Sequence, residues 1–220
     1  MRTVIAGGHG QIALKLERLL AERGDTPVGL IRRAGQEDDL RAAGAEPVLC
    51  DLESATVEQV AEALAGADAA VFAAGAGPGS GAARKDTVDR AAAVLFADAA
   101  ERAGVRRFVL ISAMGAGRAP SPGTAPVFAA YLRAKGEADA DLSARKELDW
   151  TILRPGGLTD RPGTGQVALG VHTGRGSVPR EDVALVVAEL LNAPQTVGLT
   201  LELIGGDIPA DQAVQALPGG

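Results

Sequence analysis

The stretch Thr3-Val4-Ile5-Ala6-Gly7-Gly8-His9-Gly10-Gln11-Ile12-Ala13 decides the fold. A short apolar run enters a cluster of glycines. The glycines open a segment, Gln11–Arg23, in which Ile12, Leu16, Leu19 and Leu20 share one helical face. A strand, a Gly7-x-x-Gly10-x-x-Ala13 turn and an amphipathic helix, in that order, make the phosphate-binding unit of a dinucleotide site. Gly7 and Gly8 allow the tight turn. Gly10 leaves room for a pyrophosphate at the helix N-terminus, where unpaired N–H groups and the helix dipole favour an anion. Ala13 lets the helix close on the sheet. Gly7, Gly8, His9, Gly10, Gln11 and Ile12 are therefore expected to hold the cofactor, His9 through its backbone with the ring exposed.

The same alternation continues along the chain. Apolar runs fall at Pro27–Ile31, Glu46–Cys50, Ala69–Ala73, Arg107–Ile111, Asp149–Leu153 and Leu199–Ile204. They are continuously apolar rather than alternating, as expected of parallel strands covered on both faces. Helical patterns lie between them at Thr56–Ala65, Val88–Ala103 and Arg180–Asn192. Repeated βαβ units predict an α/β fold, a Rossmann-type doubly wound parallel sheet in a single domain over 1–220. Residues 155–220 are expected to add substrate-side loops and the last strand. Three glycine- and proline-rich stretches, 75–81, 114–126 and 155–177, follow strand ends, where such sheets bind ligands. Pro218-Gly219-Gly220 reads as a frayed terminus.

Composition narrows the functional classes. Among 220 residues, 46% are apolar and 3% aromatic, so Ala, Val, Leu and Ile must build the core. A net charge of −6 argues against sequence-independent nucleic-acid binding, which needs clustered positive charge. The single Cys50 excludes an internal disulfide and a multi-cysteine metal site, and fits a reducing compartment. No apolar run reaches the roughly 20 residues that span a bilayer. The expectation is a cytoplasmic protein, monomer or homodimer, with a small-molecule substrate and neither nucleic acid nor membrane as partner.

The second strand ends in Leu30-Ile31-Arg32-Arg33. An acid that would hold a ribose 2′-hydroxyl is absent there, and two guanidiniums replace it. That predicts NADP(H) over NAD(H), with Arg32 and Arg33 on the 2′-phosphate. Asp51, followed by Leu52, ends the third run. It can accept from the adenine amino group, serve as the acid of a helical first turn, or do both.

The segments GGHGQIA (7–13), LIRR (30–33), CDL (50–52), FAAGAG (72–77), RFVLISAMGA (107–116), YLRAK (131–135), DWTILRPGGLTD (149–160), PREDVA (179–184) and LELIGGD (201–207) together resemble the atypical short-chain dehydrogenase/reductases. The likeness is to their NAD(P)H-binding, NmrA-like and biliverdin-reductase-B-like branch, over nearly the whole chain. The resemblance implies strand order 3-2-1-4-5-6 with a seventh strand at the edge, and NADP more often than NAD. It implies Ala73, Ala74 and Gly75 beside the adenosine ribose and pyrophosphate, and Pro155, Gly156 and Gly157 beside the nicotinamide. The chemistry it implies is uneven: some relatives reduce quinones, flavins or tetrapyrroles, and some only sense the cofactor.

Tyr131 and Lys135 lie four residues apart in a predicted helix and share a face. An ammonium beside a phenol lowers its pKa toward use as a general acid. Ser112, at the end of the fifth run, is placed to bind a carbonyl oxygen. Together they resemble the Ser–Tyr–Lys group of the superfamily, although no Asn occurs in 88–104, where its main branch has one. Tyr131 is then either the acid or a packing residue beside the cofactor, with Lys135 on the ribose hydroxyls. His172 is a solvated loop residue or part of a substrate pocket; Trp150 reads as core, and the acids of Arg180-Glu181-Asp182 as favouring a helix start. The leading expectation is an NADPH-dependent reductase of a small carbonyl, quinone or flavin. A non-catalytic NADP(H) sensor comes second. A nucleotide-sugar epimerase or dehydratase comes last, because the chain leaves little C-terminal domain for the sugar nucleotide.

Overall fold

The computed structural model describes residues 1–77, 79–119, 121 and 123–218. Its elements begin β1 (Arg2–Ala6), α1 (Gln11–Glu22), β2 (Thr26–Ile31), α2 (Glu37–Ala42), β3 (Glu46–Leu49), α3 (Val57–Leu64) and β4 (Ala69–Phe72). A composite helix follows: α4 (Ala82–Arg84), a wider π-type stretch (Lys85–Ala91) and α5 (Ala92–Ala103). Next come β5 (Arg107–Ile111), α6 (Pro126–Ser143), β6 (Asp149–Pro155), β7 (Gly157–Thr159), β8 (Gln166–Gly170) and β9 (Ser177–Pro179). The chain closes with α7 (Arg180–Leu190), β10 (Leu199–Gly205), β11 (Ile208–Pro209) and α8 (Ala210–Gln215). Pro78, Pro120 and Pro122 of the expected loops, and Gly219 and Gly220 of the expected frayed terminus, lie outside the described residues.

The main sheet has the order β11-β8-β10-β6-β5-β4-β1-β2-β3. From β10 to β3 every pairing is parallel, which is the expected order with its seventh strand. Strand residues alternate between two helical layers. Ile5, Val71, Val109 and Leu201 pack with α1, α7 and α8; Val4, Phe72, Leu110 and Ile152 pack with α3, α5 and α6. Both faces are therefore apolar, and the strands read as continuous hydrophobic runs. Phe72, Phe96 and Phe108 form the aromatic centre of the second layer, with ring centroids 6.0 and 5.6 Å apart.

Local signals set the helix ends. Thr56 and Gln59 form a reciprocal capping box that starts α3. Gly104, with φ of 73°, ends α5 in the left-handed conformation. The structure differs from the sequence reading in 155–177, which is not one irregular loop. β6 runs on to Pro155, β7 and β9 form a small parallel sheet, and β8 adds antiparallel to β10. These strands are short and glycine-interrupted, so they lack a legible period. The polar α2 was also unforeseen, because Leu40 is its one buried residue.

One buried group stands apart from this core. Glu17 of α1 is fully buried, and neither carboxylate oxygen has a hydrogen-bond partner. Burial pushes its pKa from 4.5 up to about 8. Below pH 4.5 folded and unfolded chains both carry the proton, and ionisation adds no cost. Between 4.5 and 8 only the unfolded chain ionises, so stability falls as pH rises. Glu17→Gln is expected to remove this slope. In urea denaturation it should exceed the wild type by on the order of 3 kcal/mol at pH 7 and match it at pH 4. An unchanged pH profile in the variant would assign the slope to another group.

Candidate functional site

The glycine turn is held between two strand ends. Gly7 has φ of 78°, and a Cβ there would come within 2.7 Å of the Ala74 Cα after β4. A Cβ on Gly8 would come within 2.7 Å of the Gly29 Cα in β2. The Gly8 N–H donates to the Leu30 carbonyl at 3.0 Å, and the Gly10 N–H to the Gly7 carbonyl at 2.8 Å. No side chain caps α1 at Gly10, and its first turn carries no acid. The positive end of α1 is left for an anion.

A cleft of about 280 Å³ opens at this point, where β1 lies between β2 and β4 and the strand order reverses. Gly7, His9 and Gly10 line its floor, Arg32, Asp51 and Leu52 one wall, and Ala73, Ala74 and Gly75 the other. Gly8 supports the turn from behind. Gln11 and Ile12 open α1 without lining the cleft, and Gln11 faces a separate surface hollow with Lys15 and Arg18. Arg33 is exposed and does not line the cleft, so the expected arginine pair is not assembled. Arg84, Glu53 and Gln36 line it instead. Arg84 and Glu53 carried no sequence signal, because they meet only through the sheet order.

Two side chains in the cleft already have partners. The His9 ring is not free: its Nε2 lies 2.7 Å from Asp39. The Asp51 carboxylate lines the cleft and accepts from the Glu53 N–H at 3.1 Å in the turn before α3; the first-turn acid of that helix is Glu58, so Asp51 does not take that expected role. Burial, with Asp51 nearby, pushes the Cys50 thiol up, which keeps it protonated.

A second, larger cavity of about 830 Å³ lies at the ends of β5 and β6. It gathers Ser112, Tyr131, Pro155, Gly156 and Gly157, together with His172. Gly156 is required there, because a Cβ would strike the Gly176 carbonyl. The Gly157 N–H donates to the same carbonyl at 2.9 Å. Phe128 and Tyr131 stack with centroids 6.0 Å apart, and Phe128 and Leu158 leave apolar surface exposed on this cavity.

The Tyr–Lys pair does not form as the spacing suggests. Lys135 is buried and lines neither cavity. Its ammonium donates to the Ile111 carbonyl at 3.1 Å and the Ala74 carbonyl at 3.4 Å, and pairs with buried Asp89 at 3.4 Å. Among the described residues no hydrogen bond joins it to Tyr131. The Tyr131 phenol is pushed up by burial and by the charges of Asp89 and Asp139. Lys85 lies over the Tyr131 ring at 5.2 Å and donates to the Gly77 carbonyl at 2.9 Å. Asp139, one further helical turn along the same face, is paired with Arg154 at 2.9 Å. Burial raises its pKa, against the nearby Ser112 hydroxyl and Arg154. Ser112 makes no well-formed hydrogen bond with it, although its hydroxyl is buried at the cavity wall. The spacing of Tyr131 and Lys135 extends to Asp139, and that was the one signal in the sequence for this cluster. Asp89 had none.

Turn, cleft and neighbouring cavity define a nicotinamide-dinucleotide-binding Rossmann domain of the atypical short-chain dehydrogenase/reductase type. The family model described as NAD(P)H-binding matches residues 7–194, and the chain belongs to that family. It is 36% identical over 218 residues to a Bacillus subtilis (strain 168) protein named uncharacterized sugar epimerase YhfK, covering 99% of this chain and all of that one. A solved structure described as a putative NAD-dependent epimerase/dehydratase from Bacillus halodurans superimposes with a TM-score of 0.89. It is 36% identical and covers 98% of this chain and 99% of that one. The anaerobillin reductase ChuY from Escherichia coli O157:H7 superimposes with a TM-score of 0.78. It is 27% identical and covers 94% of this chain and 98% of that one.

The Lys135 environment makes its role testable. Lys135→Met strands Asp89 as a buried, unpaired carboxylate. It is expected to lower stability by about 3–5 kcal/mol in chemical denaturation. Dinucleotide affinity, measured on the folded fraction, should change less than about threefold, well below the tenfold or more that goes with a lost charge-assisted contact. A large loss of affinity at unchanged stability would show instead that the ammonium reaches the ribose.

Proposed function

We propose that the protein is an NADPH-dependent reductase whose acceptor is a planar quinone or flavin. The observation that carries this reading is the large cavity beside the dinucleotide cleft, walled by the stacked Phe128–Tyr131 pair and closed by the glycines at 156 and 157. An aromatic wall favours a flat ring system by offset stacking. The bound cofactor supplies hydride chemistry; the protein binds, orients and excludes water. Pro155, Gly156 and Gly157 leave the nicotinamide side without bulk. Ser112 offers a hydroxyl to a ring carbonyl.

NADP(H) is favoured by Arg32 in the cleft and by the lack of an acid at the end of β2. The raised Tyr131 phenol separates the candidate reactions. Carbonyl reduction asks the tyrosine to give up a proton, and sugar epimerisation asks it to take one as phenolate. Both become harder as the phenol rises. Quinones and flavins need no such acid, because water can supply their protons.

Loss of NADPH absorbance should therefore be seen with quinones or free flavins and not with simple ketones or aldehydes. Tyr131→Phe should change the quinone or flavin rate less than about threefold, against the 10²–10⁴-fold worth of a positioned acid. A fall of that larger size would assign the proton to Tyr131 and restore carbonyl chemistry. Conversion of a nucleotide sugar without turnover of any acceptor would replace the reductase reading with the epimerase one.

A further inference from the structure

The adenosine end of the cleft carries two guanidiniums from distant parts of the chain. Arg32 follows β2, and Arg84 ends α4. Both converge on one carboxylate oxygen: Glu53 Oε2 lies 2.7 Å from Arg84 and 3.7 Å from Arg32. The other oxygen, Oε1, accepts from the Thr87 hydroxyl at 2.9 Å. Arg32, Arg84 and Glu53 all line the cleft, and so does Gln36, whose buried Oε1 has no partner. The Glu53 oxygen thus stands where two cationic forks meet. We propose that Arg84, with Arg32, forms the seat of the dinucleotide 2′-phosphate, and that Glu53 is an internal counter-ion which this phosphate displaces.

This inference rests on the NADP(H) reading above and adds the second phosphate-binding arm and the residue that opposes it. A phosphate carries more charge than a carboxylate and offers three acceptor oxygens, so two guanidiniums prefer it. The Glu53 pairs are part-exposed, and such pairs are opened at little cost. The Arg84 guanidinium beside it holds Glu53 below the usual carboxylate range, so it is ionised when the phosphate arrives. Once displaced it stays close by and repels the 2′-phosphate. The carboxylate therefore cancels one of the two positive charges of the empty seat and lowers affinity for NADP(H) while leaving NAD(H) untouched. Arg33, outside the cleft, takes no part.

Isothermal titration of the full chain with NADPH and NADH tests this. Glu53→Gln should tighten NADPH binding at least threefold and alter NADH less than twofold. Arg84→Ala should weaken NADPH about tenfold, the scale of one lost charge-assisted contact, with NADH unchanged. Arg33→Ala should alter neither. Weaker NADPH binding in Glu53→Gln, or equal weakening of both dinucleotides in Arg84→Ala, overturns the proposal. Arg32→Ala separates it from the underlying cofactor reading. If Arg32→Ala lowers NADPH affinity while Arg84→Ala and Glu53→Gln are silent, only the counter-ion proposal fails. If the wild type shows no preference for NADPH and Arg32→Ala is silent, both fail.

Discussion

The turn at Gly7 and Gly8 is pressed against backbone on both sides, and the site is built on it. The turn after β1 lies against Ala74 beyond β4 on one side and Gly29 of β2 on the other, with no room for a Cβ at either contact. A turn packed this tightly cannot shift without parting the sheet. It therefore fixes where α1 begins, and so where its uncapped N–H groups point. The strand order reverses at the same place, so the crevice of the doubly wound sheet and the anion-favouring helix end coincide. The space left by Gly8 and Gly29 is filled from below by the Glu17 carboxyl. A polar group without a partner is thereby buried directly under the binding turn.

How much of this was legible follows from how local each signal is. The strand–turn–helix unit is encoded within a dozen consecutive residues. The parallel strands are encoded by apolar runs that both helical layers demand. All of these were readable, and most strand limits agree with the structure to within a residue or two. The 155–177 region was not readable. β8 exists because β10 and β11 flank it, and β7 and β9 because each pairs with the other; their own residues have no marked period. The wider π-type stretch at Lys85–Ala91 was also invisible, because nothing in its composition separates it from α5.

The site shows the same division. The cofactor-side glycines were legible as backbone requirements. Side-chain partnerships across elements were not. Arg32 and Arg33 are equivalent in sequence, but both lie beyond the end of β2, where the chain bends, and only Arg32 reaches the cleft. Arg84 replaces its neighbour from more than fifty residues away. Lys135 was read from its spacing to Tyr131, yet the same helical face also holds Asp139, and the π-type stretch brings Asp89 against it. Two buried acids surround the lysine, so its charge is spent on them. The phenol beside this cluster is raised, first by its burial and then by the charges of Asp89 and Asp139.

The two ends of the site therefore treat charge in opposite ways. At the adenosine end, cations are exposed and lightly held: Arg32 and Arg84 by Glu53. Such pairs exchange partners readily when a stronger anion enters, because water screens what they lose. At the other end, Asp89, Lys135 and Asp139 are buried, Asp89 paired with Lys135 and Asp139 with Arg154. Breaking any of them leaves an uncompensated charge in a poorly solvated place. Groups held that firmly are poor proton donors and good scaffolding. They lock α6 to the end of β5 and keep Ser112 and Tyr131 in place on the larger cavity. On the reductase reading proposed above, a rigid, weakly acidic wall of this kind suits hydride transfer to a stacked ring, in which geometry limits the rate and protein acids contribute little.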